Sequence, residues 1–332
     1  MNNVLLKYPL WISWELTASC NYSCIHCRME DKEYPKLCNK ELTTDEAKHC
    51  IDEFASLGIY KLGISGGEPF LRPDLFELLE YMSDKNIKIV ITSNGSLIDY
   101  NVVLKLKKLK NLESVQISLD GKDDETHDYI RQKTGAFNRA VSAIKLLASE
   151  GIRTGVVTTV MKPNINQVSD IIKLIQKLGV QVYGARRFMP VGHGSKSMSN
   201  LLVTKEEYRK HLLFWENLQN SNDGIQYTIE EPLLGCVSHN NTQSYTCPAG
   251  NSYGALSAIG DVRACIFLPI SLGNIKEQSF SAIWTGSQIR NQIFQGCEMC
   301  RGCKFERTCA GCRTAAYAIT ENMHGKDPLC FV

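Results

Sequence analysis

No stretch of this 332-residue chain approaches the roughly 18–20 apolar residues needed to cross a bilayer as a helix, so no membrane partner is expected. Charge of one sign is also lacking. Lys and Arg number 37 and Asp and Glu 35, a net charge of +2, which gives no basic surplus of the size nucleic acid recruits. Residues Met1–Leu10 lack the basic, apolar, small-residue order of a secretion signal, so a cytoplasmic location is expected. No solenoid-length repeat is present. With 43% hydrophobic and 22% charged residues the composition is that of a folded globular chain of about two domains.

The other absence is local. No cysteine occurs between Cys50 and Cys236, although the chain has 14. Three fall within Cys20–Cys27 and nine within Cys236–Cys330. In a large chain without a secretion signal, such clusters point to metal or redox chemistry and not to disulfides. Two metal-binding ends therefore flank a cysteine-free middle.

That middle alternates apolar runs (10–16, 60–64, 87–92, 112–119, 152–160 and 180–186) with helix-like segments (44–57, 73–83, 101–109, 137–149 and 166–178). Strands buried on both faces and separated by helices predict parallel βαβ units with right-handed crossovers. Six units are too few for a closed eight-stranded barrel, so the expectation is an α/β fold, a partial (β/α)6 TIM-like barrel with its active groups at the C-terminal strand ends. A small irregular cysteine-rich domain, held by metal more than by core, is expected to follow; the resemblance given below implies that the metal is iron–sulfur clusters. The expected divisions are 1–187 for the barrel, 188–235 for a Gly/Ser-bearing connector with a helix at 205–219, and 236–332 for the cysteine-rich end.

Cys20-Asn-Tyr-Ser-Cys24-Ile-His-Cys27 directly follows the first predicted strand. Three thiolates on one loop are one short of a full set for a four-iron cluster and leave one iron open to an outside ligand. The bland alternative is a zinc site completed by His26 or a distant cysteine. Ser65-Gly66-Gly67-Glu68-Pro69 follows the second strand, Thr92-Ser93-Asn94-Gly95 the third, and Ile117-Ser118-Leu119-Asp120 closes the fourth.

Together these residues resemble the radical S-adenosylmethionine (SAM) superfamily, whose signature is CxxxCxxC after the first barrel strand. The resemblance implies that Cys20, Cys24 and Cys27 hold a [4Fe-4S] cluster and that Gly66, Gly67 and Glu68 meet the amine of SAM. It further implies that Ser93, Asn94 and Ser118 contact the ribose and that Arg131 pairs with the SAM carboxylate. A guanidinium suits a carboxylate because it can bond it bidentately.

At the other end, Cys247-x12-Gly260-x4-Cys265, Cys300-x2-Cys303-x5-Cys309-x2-Cys312 and Cys330 resemble the SPASM extension of radical SAM proteins, which carries two auxiliary iron–sulfur clusters. The family's ligand sets imply Cys247, Cys265 and Cys312 for the first and Cys300, Cys303, Cys309 and Cys330 for the second. Two departures stand out. The last pair is spaced x2 where many members have x3, and the extra cysteine that often follows the first is absent. Cys236 and Cys297 are the candidates for the missing ligand, unless an iron stays open. Cys50 reads as a small core hydrophobe and Cys38 as incidental.

The resemblance implies an enzyme that cleaves SAM reductively to a 5′-deoxyadenosyl radical and abstracts hydrogen from a substrate. A flavodoxin- or ferredoxin-type electron donor is implied with it. The reading leans to a ribosomally made peptide as substrate, with a separate peptide-recognition protein as a further partner, because most proteins resembling this extension act on peptides. The alternative is a tetrapyrrole, as in alternative heme or heme d1 synthesis. His26-Cys27-Arg28, Glu41-Leu-Thr and Cys312-Arg-Thr-Ala-Ala-Tyr resemble that group. Arg186, Arg187 and His193 are candidates for meeting substrate carboxylates. A reading of a different class is a zinc-stabilised, non-catalytic binding module.

Overall fold

The structure, a computed structural model, describes residues 4–29, 37–219, 221, 223–237, 245 and 247–332. Seven strands run parallel and in sequence order: β1 (Trp11–Thr17), β2 (Lys61–Gly66), β3 (Lys88–Ser93), β4 (Leu112–Ser118), β5 (Thr154–Val160), β6 (Val182–Arg187) and the short β7 (Gln226–Thr228). Helices α1 (Thr44–Ser56), α2 (Leu75–Asp84), α3 (Tyr100–Leu106), α4 (Asp124–Arg131), α5 (Ala136–Ser149) and α6 (Val168–Lys177) form the crossovers, and α7 (Lys205–Gln219) leads to β7. The α1 start carries a capping box in which Thr43 and Glu46 satisfy each other's orphan N–H groups. The predicted barrel is therefore present, and its strand ends lie within two residues of those of the apolar runs.

The strands do not follow the expectation of burial against apolar layers on both faces. One face is apolar: Ile12, Trp14, Leu62, Ile64, Ile89, Ile91, Val115 and Ile117 are buried against the helices. The alternate positions look inward and many are small or polar, among them Ser13, Gly63, Ser65, Ser114, Ser118 and Gly184, beside the apolar Trp11, Val90, Val157 and Val182. Closed barrels fill this space with bulky branched side chains. Here it stays open as a cavity of about 510 Å³, reaching from the first residues of the strands to their C-terminal ends.

A second difference concerns the cysteine-rich end. Strand β8 (Tyr253–Leu256) pairs parallel with the outer edge of β1, and β9 (Asp261–Arg263) and β10 (Ser271–Asn274) extend the same sheet to ten strands. Helix α8 (Phe280–Gly286) then packs back on the barrel. Phe280 meets Phe54 of α1 edge-on at 5.1 Å between centroids and stacks on Trp284 at 5.6 Å. A Cβ at position 254 would lie 2.8 Å from the Trp284 ring, so glycine is what lets β8 pass beneath it. This part of the chain is thus tied in by sheet and core, where the sequence suggested metal more than core. The residues from α9 (Gln288–Gln295) to α10 (Arg313–Thr320) and beyond have little regular structure.

Candidate functional site

Cys20, Cys24 and Cys27 lie on the loop after β1, at the C-terminal mouth of the cavity, and all three line it. The loop is fixed from three sides. From β2, Gly67 N–H donates to Thr17 O at 2.8 Å and Glu68 N–H to Ser19 O at 2.7 Å. A Cβ on Gly67 would fall 2.0 Å from Ser19 O, and Gly66 has φ 128°, so both glycines are required for this contact. From below, Glu41 accepts from Ala18 N–H and the Thr17 hydroxyl at 2.7 and 2.9 Å. From the expected connector, Gly194 N–H donates to Cys27 O at 2.8 Å and His193 N–H to Met29 O at 3.1 Å. Gly192 approaches so closely that a Cβ would meet Arg28 O at 2.0 Å. That Gly-rich stretch is a strap over the cysteine loop, not a spacer.

Glu68 departs from its expected placement. Its carboxylate is fully buried and absent from the cavity wall. It accepts from the Ser93 hydroxyl and Asn94 N–H at 2.8 Å each, and from Phe70 N–H at 3.3 Å. Burial lifts its pKa to about 6 against those donors. Glu68 therefore holds the ends of β2 and β3 together, and it is the Gly66–Gly67 backbone that faces the cavity. Asn94 is further tied to Asn21 by a 2.9 Å bond between their side-chain amides. Ser118 lines the cavity at the end of β4.

Arg131 comes from α4, a helix that apolar periodicity passed over because its residues are mostly charged; the legible signal was the Asp123 cap. Its guanidinium pairs with Asp120 at 2.6 Å and reaches Cys24 Sγ at 3.8 Å, while its Nε is buried without a partner. Asp120, which burial alone would raise, is held below the carboxylate range by Arg131 and His26. His26 lies 3.8 Å from Asp120, and burial lowers its pKa to about 4. Burial pushes the Cys24 thiol up to about 12, with Arg131 opposing.

The donor set fits an iron–sulfur cluster with a bound amino acid cofactor. Three thiols and an unsatisfied guanidinium nitrogen share one end of a cavity wide enough for a ligand. Among the described residues, no three His, Cys, Asp or Glu side chains converge closely enough to share a single metal ion, as zinc would require.

The C-terminal cysteines form two groups. Cys247, Cys265 and Cys312 lie near one another, Cys312 buried and the other two half-buried, and their proximity raises the cost of ionising Cys247 and Cys265. Cys236, Cys300, Cys303, Cys309 and Cys330 line a separate small chamber. The expectation that Cys236 or Cys297 completes the first group is therefore corrected. Cys236 lies against Cys309, and Cys297 lies against Cys300 while donating to Gly325 O at 3.3 Å. Arg187 is likewise not a free carboxylate receptor. It forms two bonds to Asp327 at 2.9 and 2.6 Å and an ion pair with Glu231 at 3.2 Å, all buried. Asp327 in turn accepts from Cys312 N–H at 2.9 Å, so one guanidinium ties β6 to the cysteine-rich end. Arg186 lines the cavity and faces Glu230 at 3.4 Å.

A partial barrel with three cysteines at its mouth and two further cysteine groups beside it defines an iron–sulfur enzyme that works on a bound small cofactor. The radical SAM superfamily pattern matches residues 14–178 and the SPASM iron–sulfur cluster-binding domain residues 247–313. The chain is 34% identical to an AdoMet-dependent heme synthase of Methanosarcina barkeri over 97% of its own length and 96% of the relative's. It is 29% identical to the mycofactocin maturase MftC of Mycolicibacterium smegmatis, covering 98% of this chain and 83% of that one. In fold it is similar to Streptococcus suis SuiB bound to its precursor peptide SuiA, with TM-score 0.82, 17% identity, and coverage of 99% and 77%. The chain belongs to the radical SAM superfamily and carries a SPASM domain; it is an enzyme whose cofactors are SAM and iron–sulfur clusters. No helix among the described residues is long and apolar enough to cross a membrane.

Proposed function

We propose that the chain uses SAM-derived radical chemistry on a tetrapyrrole bearing carboxylate side chains, the alternative named above, in preference to a peptide. The observation that carries this choice is the 34% match that runs nearly end to end in both chains, to a relative named for heme synthesis. The peptide-maturase relative matches at lower identity and extends beyond this chain.

The cavity chemistry supports the reading. Arg153 lines the lower end of the lumen and is bonded to a neutral amide, Gln226, at 2.5 Å. Arg186 lines the upper end with a partner exposed to solvent. About six strand residues separate the two levels, roughly 20 Å of rise, a span suited to carboxylates on opposite sides of a macrocycle. Guanidinium groups with weak local partners are what a polycarboxylate needs.

When bound, the cluster and SAM supply one-electron cleavage that yields a radical able to take hydrogen from an unactivated carbon. The chain's own residues do the positioning. Cys20, Cys24 and Cys27 would ligate the cluster. The Gly66–Gly67 backbone would meet the amine of SAM, and Arg131, held by Asp120, would offer Nε to its carboxylate. Ser118 and Asn94, which line the cavity, would contact the ribose, with Asn94 held by Asn21 and Glu68. A flavodoxin- or ferredoxin-type donor would deliver the electron.

The test is isotopic. Reduced, anaerobically reconstituted protein is given SAM and an iron porphyrin deuterated in its propionate chains, with a peptide encoded beside the gene as the comparison. Deuterium should appear in 5′-deoxyadenosine from the porphyrin arm. Porphyrin-independent turnover, with deuterium transferred from the peptide, would overturn the substrate assignment.

A further inference from the structure

The chamber near the C-terminus holds one thiol more than an iron–sulfur cluster needs. Clusters of two or four irons are held by four cysteines. Five line this chamber: Cys236, Cys300, Cys303, Cys309 and Cys330. The matched SPASM segment, 247–313, stops short of Cys236 on one side and of Cys330 on the other.

Cys236 is held in place and does not sit there by chance of a loose loop. It ends a short 3-10 helix, Pro232–Cys236, whose Leu233 and Leu234 are buried in the main core. The helix is capped by Glu231, whose side chain accepts from Leu233 N–H at 3.0 Å and pairs with Arg187. Gly235 lies flat on the turn before Cys309, so close that a Cβ would meet Thr308 O at 2.0 Å. The Thr308 hydroxyl donates back to Gly235 O at 3.0 Å. The two thiols that follow, Cys236 and Cys309, are within hydrogen-bonding reach of each other. Cys330 is fixed independently, its N–H bonded to Asp327 O at 2.9 Å.

We propose that Cys236 is a ligand of the second auxiliary iron–sulfur site, which this chain surrounds with five thiols. The clamp between Gly235 and Thr308 moves Cys236 into the chamber together with Cys309, so the pair enters the site as a unit. The first auxiliary group is then left with Cys247, Cys265 and Cys312, and its open position is a property of the fold. This rests on the chain loading its auxiliary sites and is independent of the substrate.

The experiment counts iron and records electron paramagnetic resonance spectra on full-length, anaerobically reconstituted protein. Three four-iron sites give about twelve irons per chain. Cys330→Ala should keep about twelve with the spectrum of that cluster unchanged, because Cys236 completes the set, and the Cys236→Ala, Cys330→Ala double variant, left with three thiols, should change the spectrum of that cluster or lose its irons. Cys236→Ser should shift the spectrum of one cluster, since oxygen replaces sulfur on one iron, and this reading decides the matter if an alanine variant loses all its iron by failing to fold. A fall to about eight irons with Cys330→Ala alone, together with an unchanged Cys236→Ser spectrum, overturns the proposal. So does a double variant whose iron count and spectrum both match those of Cys330→Ala. A wild-type protein with only about four irons would remove the auxiliary sites themselves, a different failure.

Discussion

Replacing Arg187 by Met removes the one cation from a buried group of charges. The side chains of Arg187, Asp327 and Glu231 are 4%, 1% and 3% exposed. Without the guanidinium, two carboxylates stay buried at neutral pH, with only Tyr208 O–H and the N–H groups of Leu233, Cys312 and Leu329 to stabilise them. Breaking a buried pair from one side costs about 3–5 kcal/mol. Unfolding entropy for 332 residues is about 0.7 kcal/mol/K, at about 2.1 cal/mol/K per residue. The melting midpoint should therefore drop by about 4–7 °C at pH 7, read by anaerobic differential scanning calorimetry on loaded protein. The pH dependence has a definite sign. In the wild type Arg187 holds Asp327 below its ordinary 3.8, so that contribution is lost only in strong acid. In the variant burial lifts both carboxyls above their unfolded values, the folded state takes up protons first, and the deficit shrinks as pH falls from 7 toward about 4.5. A midpoint within 1 °C of wild type at pH 7 (a change under about 1 kcal/mol) would refute the claim that this pairing joins barrel and cysteine-rich end.

Further outcomes follow from the same contacts. Gly67→Ala places a methyl against Ser19 O and should strip about four irons from the Cys20–Cys27 loop while the auxiliary sites keep theirs; an unchanged iron count would show that the loop does not need that contact. Arg131→Lys keeps the charge but loses Nε and the planar fork, so SAM affinity by equilibrium dialysis should fall at least about tenfold. His127 and His211 are both lowered to about 4 by burial, from an unfolded value of 6.5. The unfolded chain therefore binds protons first as pH falls, as it does at His26, and each of these three histidines should lower stability by about 1.6 kcal/mol from pH 6.5 to 5. His211→Phe should remove about a third of their combined loss in urea titrations, and a loss unchanged by the substitution would contradict it.

The barrel and the cysteine groups were legible because apolar runs alternating with helix-like segments, and cysteine spacing, are local signals. The open lumen was legible only in part. Ser13, Gly63, Ser114 and Gly184 interrupt the apolar runs, but that they all face one space depends on the pairing register of strands far apart in sequence. Arg131 was found by family likeness, since α4 has no apolar stripe to betray it. The strap at Gly192–Gly194 looked like a linker because small residues serve flexible spacers and tight contacts equally well. Glu68 and Arg187 read as ligand-binding groups, and folding buried both in internal bonds. The placement of Cys236 could not be read at all, since nothing local says that residue 235 will rest on residue 308.

The most direct test is release of 5′-deoxyadenosine from SAM by reduced, anaerobically reconstituted protein. Wild-type protein should release it together with methionine, and alanine at Cys20, Cys24 and Cys27 together should abolish release while the C-terminal groups retain about eight irons. Continued cleavage by that triple variant, or a wild-type loop that binds a single zinc and no SAM, would contradict the account.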